Sequence, residues 1–280
     1  MSLFIHSNQN SRDAQSKLNE TSRSLNTAFD RLSSGLHVNE TKDDAASLSI
    51  STRFAAQING LNQAIRNSND GISLVQTAKN ALTDIIHNLQ RAHQLAVQSA
   101  DETSHDKDRE SFQAEFDQLK KDIDHIVHTT TFNHDKILDG SFSARELQVG
   151  AHVSQTMTVN IASALTNDLA RHVHGELSIQ SIDLSQRDQA VAALDVIDLA
   201  LEDISSTHVH LETLQHELET SINNLSTTSE NLSASRSRIL DTNFAAETAQ
   251  SSRNQIIQQA EVSILAQANQ QPRVALALLE

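Results

Sequence analysis

Histidine and carboxylate side chains are the groups in this chain whose spacing could bind a metal ion. His208, Glu212 and His216 recur every four residues, so on a helix they share one face. His125 and His128 lie three residues apart and would also be neighbours on a helix. Either set could bind a divalent cation. Solvated polar side chains on a helix surface explain the same spacing, and we favour that interpretation, with no metal site and no cofactor.

The sequence contains no motif for nucleophilic or hydrolytic catalysis. His216-Glu217 is followed by Leu218, Glu219 and Thr220, so the two-histidine helix motif of zinc proteases is missing. The chain has no cysteine, and nothing in it resembles a nucleophile elbow or a phosphate loop. We therefore predict no catalytic residues and no enzymatic activity.

Composition restricts the partners. The formal net charge of the 280 residues is −15, which argues against nucleic acid and anionic membranes as partners. No run of about 18 apolar residues is available to span a bilayer. The first residues lack the basic and apolar regions of a secretory signal peptide. One proline and six glycines leave little turn chemistry, which indicates long helices.

Apolar residues recur with alternating steps of four and three, the pattern of helices packed lengthwise on one another. A second stretch with this pattern runs from Phe112 to Ile126. The first row begins at Phe54 and consists of Phe54, Ile58, Leu61, Ile65, Ser68, Ile72, Val75, Lys79, Leu82, Ile86, Leu89, His93 and Ala96. Asn69-Asp70-Gly71 could interrupt a helix, but the register continues through it.

A third row recurs every seven residues and predicts the core of a helical rod. A helix over 197–239 would be about 65 Å long, more than the diameter of a globule of this size. The row consists of Ile197, Ile204, Leu211, Leu218, Leu225, Leu232 and Ile239.

Only the middle of the chain alternates with period two. Residues 146–150 and 155–161 alternate apolar and polar side chains around a short loop, which predicts a β-hairpin. We therefore predict a mainly α fold: an elongated rod of long antiparallel coiled-coil-like helices with a small β-hairpin. Because the chain goes out along helices and returns along one, both termini should lie at the same end.

Amphipathic stripes at both ends need partners, either each other or neighbouring molecules. The residues assigned to this packing are Leu18, Leu25, Phe29, Leu32, Ile257, Ile264, Leu265, Leu276 and Leu279.

Several stretches resemble the conserved ends of bacterial flagellins, in the same order along the chain. At the N-terminal side they are Arg31–Leu36, Lys42–Ala46, Arg66–Ala78, Phe132-Asn133 and Leu147–Ala151. At the C-terminal side they are Ser235–Ile239, Gln258–Ala260 and Leu265–Gln270.

The resemblance implies a layered fold. Residues 1–42 and 237–280 would be inner-tube helices, disordered in the monomer and paired in the filament. Residues 43–165, with the hairpin, and the helix 186–236 would form the outer rod. The connector 166–185 leaves almost no room for the surface domains of larger flagellins, so the chain is similar to a minimal form.

The function implied is that of a structural subunit, which polymerises with itself into the flagellar filament for swimming. The family's other partners are the hook–filament junction protein, the filament cap, an export chaperone and the flagellar type III export apparatus. The resemblance implies an extracellular location in the flagellum without a cleaved signal peptide. The head-to-tail contact does not close and so gives a helical polymer.

A possible surface contact also follows from the resemblance. Gln90, Arg91 and Leu95, with Glu115, match positions that a host Toll-like receptor contacts on many flagellins. The same surface is a subunit interface in filaments, and we favour that role.

Three positions depart from the family's frequent glycines: Ser47, His134 and Glu261. They put the inner-tube packing in question. The alternative function is that of a hook–filament junction protein, a flagellin-like adaptor that does not extend.

Overall fold

The structure is a computed structural model that describes residues 8–171 and 178–277, with side chains as far as Gln270. Its described part is dominated by five long helices: α1 Gln9–Ser34, α2 Ala45–Ala100, α3 Asp106–Thr129, α4 Arg187–Leu240 and α5 Phe244–Ala277. Short strands lie between α3 and α4: β1 Thr131–Phe132, β2 Asp135–Lys136, β3 Arg145–Gln148 and β4 Thr156–Val159. A 3-10 turn follows at Ile179–Ser181. The predicted mainly α class is confirmed.

The chain divides into two compact units. One unit comprises residues 59–229, and the other comprises residues 1–58 and 230–280. The long helices α2 and α4 each contribute residues to both. The prediction that both termini lie at the same end stays a prediction, because residues 1–7 and 278–280 lie outside the described residues.

In the unit 59–229, α2 and α4 run antiparallel. Lys79 Nζ lies 3.8 Å from Glu212 Oε1, and His93 Nε2 lies 3.3 Å from Asp198 Oδ1. Residue numbers therefore fall along α4 as they rise along α2. The core contains the largest fully buried side chains, among them Leu82, Ile85, Leu89, Phe116, Ile123 and Ile197. Burial of these apolar side chains is the main favourable contribution to this unit.

The segment Asn69-Asp70-Gly71 does not interrupt α2, as the register of the apolar row indicated. Gly71 has a packing role instead. A β-carbon added there would lie 2.5 Å from Leu147 Cδ2, so the glycine lets a neighbouring segment approach the helix closely. The cost in helix propensity is about 1 kcal/mol relative to alanine.

The predicted β-hairpin is present. Strands β3 and β4 pair antiparallel, with Arg145 opposite Val159 and Gln148 opposite Thr156. The hairpin packs on α2, where Asn67 Nδ2 donates a hydrogen bond of 3.1 Å to the Gln148 carbonyl. The face of α2 that carries Asn67 and Gly71 is therefore the surface on which the hairpin packs.

A second, smaller hairpin was not predicted. Strands β1 and β2 pair through Phe132 and Asp135, and the two turn residues Asn133 and His134 have φ of 51° and 73°. Two-residue hairpins with positive φ at both turn positions favour Asn-Gly. His134 therefore occupies a left-handed position that costs a side chain about 1 kcal/mol or more.

The described part of the connector 166–185 is held by side chains of α3. Asp124 Oδ1 accepts hydrogen bonds from the amide and the hydroxyl of Thr166, at 3.1 and 2.9 Å. Gln113 Oε1 accepts one of 2.6 Å from the amide of Leu184. Residues 172–177 of this predicted connector lie outside the described residues.

Candidate subunit interface

The two terminal helices pair with each other in the other unit. Ser11 Oγ donates a 2.7 Å hydrogen bond to Asn269 Oδ1, and Gln258 Nε2 donates one of 3.1 Å to Ser22 Oγ. Residue numbers fall along α5 as they rise along α1, so the two helices are antiparallel. Arg31 Nη1 continues this register, 3.8 Å from Glu247 Oε1.

The face of α1 toward α5 combines an apolar stripe with the polar residues Ser11, Thr21, Ser22 and Arg31. Ala14, Leu25 and Ala28 are buried, and Leu18 and Leu32 are half-buried. These residues follow steps of four, seven, three and four, as expected for one face of a helix against a single partner. The predicted stripe of α1 thus packs within its own chain, except that Phe29 remains 46% exposed.

The face of α5 toward α1 is mostly polar. Its residues that are not exposed, among those with described side chains, follow steps of four and three without a break: Glu247, Ser251, Asn254, Gln258, Glu261, Leu265 and Ala268. We call this set the polar row. Glu261, which stands where flagellins often have glycine, belongs to this row, and its Oε2 is buried without a hydrogen-bond partner.

The large aliphatic side chains of α5 lie mostly outside that row and are exposed. Ile256 is 67% exposed, Val262 52% and Ile264 55%. Ile257 is also exposed, while Leu265 is half-buried. Of the remaining predicted packing residues, the side chain of Leu276 and the whole of Leu279 lie outside the described residues.

The turn after α1 joins it to the segment between α4 and α5. Gly35 has a φ of +73°, and its amide donates a 2.9 Å hydrogen bond to the Arg31 carbonyl, a left-handed helix cap. The Gly35 carbonyl accepts a hydrogen bond of 2.9 Å from the Thr242 amide, and the His37 amide donates one of 2.6 Å to the Leu240 carbonyl. This left-handed backbone conformation favours glycine at position 35.

Asp44 caps the start of α2. Its Oδ1 accepts hydrogen bonds from the amides of Ala46 and Ser47, at 2.9 and 3.1 Å. The Ser47 hydroxyl donates to the other carboxylate oxygen, and this bond is the chief reason that the pKa of Asp44 lies below its ordinary value. Ser47 therefore has a local capping role where flagellins commonly have glycine.

The proposed contact surface of the unit 59–229 is exposed in part. Gln90, Arg91 and Glu115 are exposed. Arg91 and Glu115 form an ion pair between α2 and α3, with Nη2 and Nε at 2.7 and 2.8 Å from Oε1. Each side chain keeps 45% of its surface exposed.

Leu95 does not belong to that surface. It is 1% exposed and part of the core, so the prediction that it contacts another protein is wrong for this conformation. The reason is that α2 packs against both α3 and α4. Its buried face is therefore wider than a single seven-residue row and includes Leu95 as well as Ala96.

The residues of the predicted rod core differ along α4. Ile197, Ile204, Leu211 and Leu218 are buried, at 2% exposure or less. The later members Leu225, Leu232 and Ile239 are half-buried.

Arg109 is a structural residue that sequence reasoning missed. It is 7% exposed, and its guanidinium donates hydrogen bonds of 2.8, 2.7 and 2.8 Å to the carbonyls of Ser99, Asp101 and Ser104. It thus joins the last turn of α2 to the first turn of α3. The acceptors of these three hydrogen bonds are backbone atoms, which give no signal in the sequence. Asp106 Oδ1 also lies 3.6 Å from Arg109 Nη1.

The histidine sets are not arranged around a metal. Across residues 8–171 and 178–277, no group of three His, Asp or Glu side chains is placed to hold one. Glu212 faces Lys79, and His216 Nδ1 lies 3.5 Å from Glu219 Oε2. No helix in the part of the chain that the structure describes is both long and apolar enough to cross a membrane.

The family models and the sequence relatives of this chain all belong to one family. Residues 5–143 match the bacterial flagellin N-terminal helical region, and residues 194–279 match the bacterial flagellin C-terminal helical region. A flagellin of Halalkalibacterium halodurans is 40% identical over 90% of both chains. A flagellin of Xenorhabdus nematophila is 37% identical over the whole of both, and one of Bacillus subtilis is 37% identical over 99% of this chain and 100% of that protein.

Among solved structures, one described as a flagellar hook-associated protein from Vibrio parahaemolyticus has a TM-score of 0.60. It covers 71% of this chain and 100% of that one, but at 12% identity it shows only a shared fold. The sequence relatives, not this likeness, decide between the filament subunit and the junction adaptor, and nothing in them favours the adaptor. The chain belongs to the bacterial flagellin family, and it is a structural subunit of the flagellar filament that serves motility.

Proposed function

We propose that the terminal helices form the inner layer of the filament and bury their exposed apolar side chains against neighbouring copies. The observation that carries this proposal is the exposure of Phe29, Ile256, Val262 and Ile264 on the helix pair. Exposed large apolar side chains are costly in water, and contact with another copy removes that cost. The inner-tube segments are 1–42 and 237–280, with 43–165 and 186–236 in the outer layer and 166–185 in place of outer domains.

The outer layer supplies a second contact. Gln90, Arg91 and Glu115 form an exposed polar surface on α2 and α3, and we assign it to the interface between neighbouring copies. A host Toll-like receptor would compete for the same surface. The Arg91–Glu115 ion pair supports this assignment because it holds both long side chains in one arrangement before any partner arrives.

The remaining partners follow from family membership. The junction protein would receive the first copies and the cap would direct growth at the tip. Export through the flagellar type III apparatus, with a chaperone on the C-terminal helix, would bring the chain to the extracellular filament. The exposed aliphatic side chains of α5 would require such a chaperone before assembly.

Seeded growth tests the proposal. Short filament fragments are mixed with purified chain and imaged by electron microscopy. Wild-type chain should lengthen the seeds into tubes of uniform width. Ile264→Ser should slow growth strongly, because Ile264 is 55% exposed in the single chain and the proposed inner layer would bury it.

The matched control is Val209→Ser. Val209 is 61% exposed on α4, in the outer layer. Its substitution should leave growth close to that of the wild type. Seeds that never lengthen with wild-type chain would contradict the filament function. Equal effects of Ile264→Ser and Val209→Ser would contradict the inner-layer assignment.

A further inference from the structure

The oxidisable sulfur of this chain is concentrated at very few positions. The sequence has no cysteine and two methionines, Met1 and Met157. Met157 belongs to strand β4, whereas Met1 lies outside the described residues. A thioether that takes up one oxygen atom becomes a sulfoxide, which turns a flexible apolar side chain into a polar one. Within the part of the chain that the structure describes, this sulfur chemistry can therefore act only on Met157.

Met157 is one of the apolar side chains that hold the hairpin β3–β4 on the helices. It lies directly opposite Leu147 on the neighbouring strand, so the two side chains share one face of the hairpin. Both are partly buried against the core of the unit 59–229. A β-carbon at Gly71 of α2 would lie 2.5 Å from Leu147 Cδ2 and 3.3 Å from Leu218 Cδ1 of α4. This face of the hairpin therefore packs where the two helices meet.

An open groove brings solvent to the same side chain. The groove has a volume of about 600 Å³ and lies between the hairpin and α4. Met157 and Leu225 are its apolar lining residues, and polar side chains of α4 such as Thr220 and Asn224 line the rest. Water fills a space of this size and polarity, and a small peroxide enters where water does. Met157 is half-buried, so it contacts the core and is still accessible from the groove.

We propose that Met157 is an oxidative modification site and that its sulfoxide loosens the hairpin from α2 and α4. Hydrogen peroxide supplies the oxygen atom: the O–O bond breaks, an S=O bond forms, and sulfur is oxidised while the peroxide is reduced. The leaving hydroxide takes the proton of the transferred oxygen and departs as water.

The sulfoxide changes which surroundings the side chain favours. Its oxygen is a hydrogen-bond acceptor, and the apolar neighbours Leu147 and Leu225 offer it no donor. A polar group that is buried without a hydrogen bond is costly, whereas the water of the groove satisfies it. The oxidised side chain therefore leaves the contact with Leu147 and turns into the groove, and the hairpin loses part of its apolar attachment.

Hydrogen exchange of the single chain measures the loosening. The Val149 amide donates a 3.0 Å hydrogen bond to the Gln155 carbonyl, and peptides that cover residues 145–159 report opening of the hairpin by mass spectrometry. Hydrogen peroxide should add one oxygen atom at Met157 at a rate of the same order as that of N-acetylmethionine amide in the same solution. Exchange in the hairpin should then rise about tenfold, which corresponds to about 1.4 kcal/mol. A peptide from α3 should exchange as before.

Two variants and a reversal serve as controls. Met157→Leu conserves the volume but contains no sulfur at this position, so peroxide should leave its hairpin exchange unchanged, although the rest of the chain is treated alike. Met157→Gln places an uncharged polar group there and should raise hairpin exchange without peroxide. Reduction of the oxidised wild-type chain by the two methionine sulfoxide reductases, one for each epimer, with a dithiol as reductant should restore slow exchange.

The outcomes are decisive for the site and for its effect. Oxidation of Met157 far more slowly than the reference compound would show that peroxide does not reach the thioether. Complete oxidation with unchanged hairpin exchange would show that Met157 does not hold the hairpin. If Met157→Gln fails to fold, the treated wild type still decides, because it is oxidised after folding. The measurement uses the single chain, so its result is independent of filament growth.

Discussion

Replacement of Arg109 should destabilise the unit 59–229 more than replacement of any exposed arginine. The guanidinium is 7% exposed and joins α2 to α3 through three backbone carbonyls. Arg109→Met removes all three hydrogen bonds and leaves the Ser99 carbonyl, in the last turn of α2, without this donor. Hydrogen bonds to a charged group contribute about 1.5 kcal/mol or more each.

Water reduces the loss in free energy of unfolding that we expect for Arg109→Met. Asp101 and Ser104 lie in the turn between α2 and α3, where water can donate hydrogen bonds to their carbonyls in place of Arg109. We therefore expect Arg109→Met to lower the free energy of unfolding by about 2–4 kcal/mol. Arg109→Lys keeps the charge but not the planar fork, so its cost should be about half of that.

The control is Arg91→Met. Arg91 keeps 45% of its side-chain surface exposed and pairs only with side chains. Its replacement should cost less than about 1 kcal/mol. Urea unfolding followed by far-ultraviolet circular dichroism suits this chain, because it has neither Trp nor Tyr for fluorescence. A loss in Arg109→Met no larger than that in Arg91→Met would refute the assignment of Arg109 as the link between the helices.

Three further substitutions test backbone and capping features. His134→Gly should raise the free energy of unfolding by about 1 kcal/mol in the same urea assay, because glycine relieves the left-handed φ of 73°; a loss of stability would contradict this. Gly35→Ala should lower the free energy of unfolding by the cost of the same conformation alone, about 1 kcal/mol, since a β-carbon there meets nothing within 4 Å; Gly35→Asn, which tolerates this conformation better, should lose less. Ser47→Gly should raise the pKa of Asp44 toward its ordinary value, measured by NMR titration of the carboxyl group, because the hydroxyl bond that chiefly lowers it is gone. Since the folded pKa of Asp44 is lowered, its contribution to stability is full above the ordinary value of about 3.9 and is lost as the pH falls through the lowered value; an unchanged pKa in Ser47→Gly would contradict the role of the hydroxyl.

The long helices were predictable because their signal is repeated many times. The row from Phe54 to Ala96 lies within α2, and the row from Ile197 to Ile239 lies within α4. A periodic pattern over six or more turns outweighs a local sequence such as Asn69-Asp70-Gly71. The hairpin β3–β4 was predictable for the same reason, since four residues on each strand alternate.

Short elements gave no such signal. Strands β1 and β2 have two residues each, too few for a period of two to be recognised. The Phe132-Asn133 pair marked a family resemblance but not a turn, because the glycine expected after Asn133 is His134. Only the backbone conformation shows that a tight turn forms there without it.

Leu95 and Arg109 show what a single periodic row misses. Leu95 was assigned to a surface by its resemblance to a contact position of flagellins, yet packing of α2 against two helices buries it together with Ala96. Arg109 is one charged residue among many in α3, and its importance comes from carbonyls that approach it from another helix. Both results depend on the number and the direction of a helix's neighbours.

The amino-acid sequence by itself determined the mainly α class, the hairpin β3–β4 and the long uninterrupted helices α2 and α4. These properties follow from local propensity and from periodicity, which act along the chain. The tertiary structure alone decided which row of α5 faces α1. The sequence contains the polar row and, one residue earlier, a row of Ile257, Ala260 and Ile264 at the same spacing, and a rotation by one residue exchanges them. That choice depends on contacts between segments more than 200 residues apart, such as Ser22 and Gln258, and no local pattern encodes it.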